Sequence, residues 1–125
     1  MNCPCGSSLS YEQCCGVYHM GDLPETTEQL MRSRYSAFVK RDINYLLLTQ
    51  HQDLCGPNDR REILQTFQDC QWLELRVLNS RGGINDKEGT VEFIATYTSA
   101  GQIFEHHEKS LFKKEKKAWK YHSAI

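Results

Sequence analysis

The sequence predicts an α+β protein, with helices covering one face of an antiparallel sheet and a small cysteine-rich unit in front. Three observations carry this. Four cysteines, Cys3, Cys5, Cys14 and Cys15, fall within the first fifteen residues. Apolar residues then recur at helical spacing as far as Asp69. After Cys70 the apolar period shortens to two, the period of a strand. Helices first and strands after, joined by hairpin-length loops, give a layered arrangement with an antiparallel sheet.

Residues 1–16 form the cysteine unit, residues 17–25 read as a connector with Gly21 and Pro24 as breakers, and residues 26–125 form the main domain. Thr26 or Thr27 caps a first helix, with Glu28 or Gln29 in its first turn. That helix runs to about Lys40, and Leu30, Met31, Tyr35 and Phe38 make its buried face, with Arg34 on or beside it. Asp42 caps a short second helix from Ile43 to about Thr49. A turn at Cys55-Gly56-Pro57-Asn58-Asp59 leads into a third helix, from about Asp59 to Asp69, with Ile63, Leu64 and Phe67 on one side.

Leu73, Leu75 and Val77 alternate with Trp72, Glu74 and Arg76 in a first strand. Val91, Phe93, Ala95 and Tyr97 alternate in a second, after a loop from Arg81 to Lys87. A third strand spans about Gln102 to Lys113, a tight turn Lys114 to Lys117, and a last strand Ala118 to His122.

A length of 125 residues suits one ordinary domain and a small appendage. Hydrophobic residues at 39% and charged residues at 25% match a soluble globular protein. A net charge of −1 provides no overall field for nucleic acid or membranes. No apolar run approaches the roughly 20 residues of a membrane span. The N-terminus has no basic region followed by an apolar stretch, so a cytoplasmic location and no membrane association are expected.

The cysteines read Cys-Pro-Cys-Gly-Ser, a short loop, then Cys-Cys-Gly. Adjacent cysteines bond poorly to each other, and a cytosolic setting keeps thiols reduced, so disulfides are not expected. Four thiolates converging on one point suit a single soft-ligand divalent ion, and zinc is the usual occupant. Iron–sulfur centres and reactive thiols are the rivals, but iron–sulfur ligands are usually spaced differently. A closed four-cysteine site leaves no position for water, so its zinc is structural. The unit is too short to bury a core of its own, and a metal supplies the reason to fold. Cys55 and Cys70 read as free, partly buried thiols.

Cys3-Pro-Cys5-Gly6-Ser7, Tyr11 and Cys14-Cys15 resemble the SEC-C motif, a small zinc-binding unit named for the C-terminus of a preprotein translocase. The resemblance implies Cys3, Cys5, Cys14 and Cys15 as metal ligands. It also implies a protein partner for the unit, as in the translocase, although Ser8, Leu9, Ser10 and Glu12 replace the usual glycine- and lysine-rich loop. The stretches Cys14 to Tyr18, Met31 to Phe38 and His107 to Phe112, with Trp119 and Tyr121, are similar to the bacterial YchJ-like family. That resemblance covers nearly the whole chain. It implies a cone-shaped nuclear-transport-factor-2-like (cystatin-like) domain, with three helices on a curved antiparallel sheet of about four strands. It further implies a cavity between helices and sheet, and a homodimer through the sheet.

Strand parity places His106, Glu108, Ser110 and Phe112 on one face of the third strand. Two readings of this polar face stand. In one, Arg34, His106, Glu108 and Ser110 are the floor of a polar pocket and weak candidates for catalysis, with Glu108 or His106 as acid or base. In the other, Arg34 and Glu108 form a structural ion pair between helix and sheet. Either requires them to be close. His107 is expected to face away. His51 sits at the cone mouth or is an ordinary helix-end histidine, and Trp72, Tyr35 and Tyr45 are expected in the core. Five lysines between Lys113 and Lys120, beside Trp119 and Tyr121, raise nucleic acid as a partner. A solvated turn is the simpler reading.

Two functions follow: a zinc-stabilised binding or adaptor module, or a small enzyme or small-ligand-binding protein that uses the cone pocket. An open pocket lined by Arg34, Glu108 and His106 favours the second, and one plugged by aromatics favours the first.

Overall fold

The structure is a computed structural model that describes residues 2–125. Helix α1, Cys15–His19, closes the cysteine unit. Three helices follow in the main domain, α2 Thr27–Lys40, α3 Ile43–Leu48 and α4 Asp59–Asp69. The strands are β1 Gln71–Arg81, β2 Glu88–Ser99, β3 Gln102–Glu115 and β4 Ala118–Ala124. They form one antiparallel meander in the order β1-β2-β3-β4. The predicted α+β class and the helix-then-strand order are both found.

The signals that start the helices act as expected. Thr26 and Gln29 form a reciprocal cap: the Gln29 N–H donates to Thr26 Oγ1 at 3.1 Å, and the Thr26 N–H to Gln29 Oε1 at 3.2 Å. Arg41 ends α2 in the left-handed region, φ 60°. Asp42 Oδ1 accepts from the Tyr45 N–H at 3.1 Å and starts α3. The Lys116-Lys117 turn has positive φ at both residues, 50° and 77°, which suits the twist of a two-residue hairpin.

Three expectations are corrected. Residues 17–19, read as connector, belong to α1. The turn after β3 is only two residues, so Lys114 is in the strand, where its ammonium lies 4.9 Å from the Trp119 ring and donates to Ile84 O at 2.6 Å. In β1, register shifts at Trp72/Glu74 and Val77/Asn79 break the simple alternation. Leu73 is thereby turned out, 50% exposed, while Trp72 faces the helices.

A principal core joins Leu30 and Tyr35 of α2 to Leu75, Val91, Phe93, Ala95, Phe112 and Trp119 of the sheet. Cys3, Cys5 and Cys15 belong to this same core. The cysteine unit is therefore packed into the domain and is not carried as a separate bead. A second cluster, Ala37, Tyr45, Leu46 and Phe67, ties α3 and α4 to α2. Among the described residues no helix is long and apolar enough to cross a membrane.

Candidate functional site

The four N-terminal cysteines converge. Their sulfurs all lie within 4.8 Å of one another, with Cys5 and Cys14 at 3.6 Å and Cys14 and Cys15 at 4.0 Å. A tetrahedral ion with sulfurs at about 2.3 Å sets them about 3.8 Å apart, whereas a disulfide needs about 2.05 Å. The set thus fits one metal ion. A polynuclear iron–sulfur core would spread its thiolates further.

The backbone explains the convergence. Gly6 sits at φ +85°, and its N–H closes a tight turn on Cys3 O at 3.2 Å. At Gly16 in the first turn of α1 a Cβ would lie 2.7 Å from Tyr11 O, so only glycine fits there without movement. The Cys15 thiol, then the Ser7 hydroxyl, the Cys14 thiol and the Ser7 N–H, hold the Cys5 thiol down to about 4 against burial. The Cys15 and Cys14 thiols are pushed up, Cys15 first by its bond to Cys5 and Cys14 by burial. Ser7 Oγ also donates to Cys14 Sγ at 3.1 Å. A ligating thiolate needs support of this kind from its surroundings.

Three bonds fasten this knuckle to α2. Arg32 Nη1 donates to Cys5 O at 2.7 Å, Cys3 Sγ contacts Ser36 Oγ at 3.5 Å, and His19 Nε2 bonds Ser33 O at 2.8 Å. His19 also bonds Tyr11 through Nδ1 at 2.6 Å and packs on Tyr45, ring centroids 4.6 Å apart. Sequence reasoning missed it as part of the connector; its spacing of eight from Tyr11 was the available signal.

The second feature is a cavity of about 220 Å³ between α2, α4 and the concave side of the sheet. Met31, Tyr35, Phe38, Trp72, Phe93 and Ala95 give it apolar walls. Arg34, His106, Glu108, Ser110 and Tyr121 supply its polar lining. The β2–β3 register explains the grouping on the sheet: Ala95, Phe93 and Val91 stand opposite His106, Glu108 and Ser110, all on one face.

Glu108 accepts from three neighbours: His106 Nε2 at 2.9 Å, Tyr121 Oη at 3.0 Å, and Ser110 Oγ. Burial pushes its carboxyl up, but the bonds from Ser110, His106 and Tyr121 outweigh burial and hold it below the usual carboxylate range. Tyr121, pushed up to about 12 by burial and by Glu108, is a neutral donor.

The direct Arg34–Glu108 pair expected from the sequence is not formed. Tyr121 stands between them: its hydroxyl serves Glu108 and its ring lies 5.0 Å from Arg34 Cζ. Arg34, 7% exposed, donates through Nη1 to Leu46 O at 3.0 Å and to Thr49 Oγ1 at 2.7 Å. Burial lowers the guanidinium to about 10, and Tyr121, Tyr45 and Glu108 counter this only in part.

The remaining candidates separate. His107 is exposed and bonds Glu92 at 2.7 Å, on the face away from the cavity. His51 is buried where the chain leaves α3, with Asp53 Oδ2 at 3.5 Å, and His122 lies 3.4 Å from the same oxygen. Tyr35 and Tyr45 are buried, whereas Trp72 is half-buried on the cavity wall. Cys55, expected partly buried, is exposed, and Cys70 is half-buried. Trp119 is 1% exposed with its Nε1 on Glu25 O, and Tyr121 faces the cavity, so neither offers a face for stacking on bases.

Comparison with known proteins agrees with this arrangement. A UPF0225 protein of Yersinia pestis is 40% identical over 126 residues, covering 98% of this chain and 82% of that protein. The solution structure of a SEC-C motif containing protein from Rhodopseudomonas palustris superposes with a TM-score of 0.88 at 35% identity, covering 100% of this chain and 98% of the other. The crystal structure of a SEC-C motif containing protein from Psychrobacter arcticus gives 0.77 at 28%, covering 97% and 80%. An LEH-like epoxide hydrolase of M. tuberculosis shares the fold alone, with a TM-score of 0.52 at 15% identity over 79% of this chain and 84% of its own. Residues 26–124 match the family model described as the middle NTF2-like domain of YchJ. With that match over most of its length, the chain belongs to the YchJ-like, UPF0225 family of SEC-C motif proteins.

Proposed function

We propose that the protein binds a small, largely apolar molecule in its cone cavity, and that its cysteine knuckle holds a structural zinc ion. The observation that carries the reading is the cavity itself. Apolar walls and a few convergent polar groups at one side are the usual make-up of a small-molecule site. Its size sets the class of ligand. An apolar cavity of about 150 Å³ holds a benzene ring, so about 220 Å³ admits one ring with a short polar head and excludes nucleotides.

Binding is favoured over catalysis by the state of Glu108. With three donors on its oxygens and a lowered proton affinity, it is a poor base and a poor acid near neutral pH. For the knuckle, four buried or half-buried cysteines with no open ligand position support a structural ion over a reactive one, and four sulfurs favour zinc. Between the two functions weighed from the sequence, the adaptor and the pocket protein, the cavity favours the second.

The test is NMR on methyl-labelled full-length protein, titrated with one-ring aromatic fragments, neutral and charged. The expected result is saturable shifts at Met31 and Ala95. Fragments that move no cavity-lining resonance would overturn the binding reading. Native mass spectrometry should give one zinc per chain.

A further inference from the structure

The cavity's hydrogen-bonding capacity is lopsided. Its carboxylate is occupied, since Glu108 already accepts from His106, Ser110 and Tyr121. Its donors are not. The Arg34 guanidinium has five N–H bonds to give, yet it donates only through Nη1 among the described residues, to two neutral oxygens. Among the described residues no carboxylate lies within 4.0 Å of it. Trp72 lines the cavity too, but its Nε1, without a hydrogen-bond partner among the described residues, is fully buried and opens no surface to it. A buried cation with no ion pair is uncommon, and the N–H groups that Arg34 has left over keep open surface, so a molecule in the cavity can take them.

We propose that the ligand is a small aromatic or aliphatic carboxylic acid, bound as its carboxylate, with its oxygens on the Nε–Nη2 side of Arg34 and its apolar body between α2 and the sheet. The proposal rests on the cavity reading and adds the charge and head group of the ligand. The guanidinium fork matches a carboxylate in shape and donates two parallel bonds to it. Tyr121 supports the guanidinium from its ring face, and Leu46 O and Thr49 hold Nη1, so the plane of Arg34 is set before any ligand arrives. One unpaired cation suits one negative charge, which disfavours a phosphate dianion. A cationic ligand would meet Arg34 and find Glu108 already taken.

The test compares three probes of nearly one shape on the folded, metal-loaded protein at pH 7: phenylacetate, phenylacetamide and benzylamine. Dissociation constants come from NMR titration, with the Arg34 Nε–H and Trp72 Nε1–H resonances as reporters. Phenylacetate is expected to bind at least tenfold more tightly than phenylacetamide and to move both reporters. In Arg34→Met that preference should vanish while the amide still binds. An amide or amine that binds as tightly as the acid overturns the carboxylate assignment and leaves the cavity reading standing, and so does an acid preference that survives Arg34→Met. If none of the three moves a cavity resonance, the cavity reading fails and this proposal fails with it. The wild-type comparison needs no variant, so it holds whatever the stability of Arg34→Met.

Discussion

Replacing Arg34 by methionine removes a charge and keeps most of the side chain's length. Burial holds the guanidinium down to about 10, which corresponds to about 3 kcal/mol against the charged form. Methionine relieves that. It also gives up the two Nη1 bonds, at about 1 kcal/mol each, and the contact with the Tyr121 ring, at about 1 kcal/mol. The acceptors are not stranded, because Thr49 Oγ1 still donates to Tyr45 O and contacts Leu46 O. Glu108 keeps all three of its donors. The opposing contributions nearly cancel, so Arg34→Met should change the unfolding free energy by less than about 1.5 kcal/mol. Urea denaturation followed by tryptophan fluorescence measures it. A structural ion pair would behave differently, since removing one partner of a buried pair costs about 3–5 kcal/mol. A loss of that size would refute the claim that Arg34 is buried for a ligand and not for the fold.

Three further outcomes are expected. Ser7→Ala removes the hydroxyl that donates to Cys14 Sγ, and zinc affinity should fall about 10–100-fold in a chelator competition while the fold persists. Stripping the metal should loosen more than the knuckle, because Cys3, Cys5 and Cys15 are in the principal core; amide exchange in α2 around Ser33 and Ser36 should rise together with that of residues 3–15. Glu108 holds its proton less tightly when folded than the usual carboxylate, so its contribution to stability is complete above the ordinary carboxylate range and is lost as pH falls through the depressed value. Glu108→Gln should therefore flatten that part of the acid limb of a stability–pH curve, and an unchanged limb would contradict the assignment.

Much of this was readable from residue order. The Thr26–Gln29 cap, the Asp42 cap and the parity of β2 and β3 are local signals, and no distant contact opposes them. The grouping of His106, Glu108 and Ser110 followed from parity alone. β1 was not readable in the same way, because its two register shifts against β2 move later side chains out of simple alternation, and a register is a property of a strand pair. The link between Arg34 and Glu108 was half legible. Helix and strand faces bring both to one cavity, but the interposed Tyr121 comes from β4, across a hairpin and a further register shift at Leu111/Phe112. The merging of the cysteine unit with the main core was not legible. Cys3, Cys5 and Cys15 read as ligands, and ligands say nothing about what packs behind them.

The two sites share one helix, and this gives the knuckle a role in the cavity. Along α2, the Arg32 and Ser36 side chains and the Ser33 carbonyl are bonded to the cysteine unit and α1. Met31, Arg34, Tyr35 and Phe38 line the cavity. The helical repeat puts each residue that holds the knuckle within two positions of one that lines the cavity. Arg34 is thus fixed by Leu46 and Thr49 on α3 and by neighbours in its own helix that the knuckle restrains. An unpaired buried cation tends to pull its helix toward water, and a helix bonded on its far side resists that motion. On the proposed reading, an ion held by the knuckle would keep a charged side chain in a place that the side chain's own energetics would otherwise abandon.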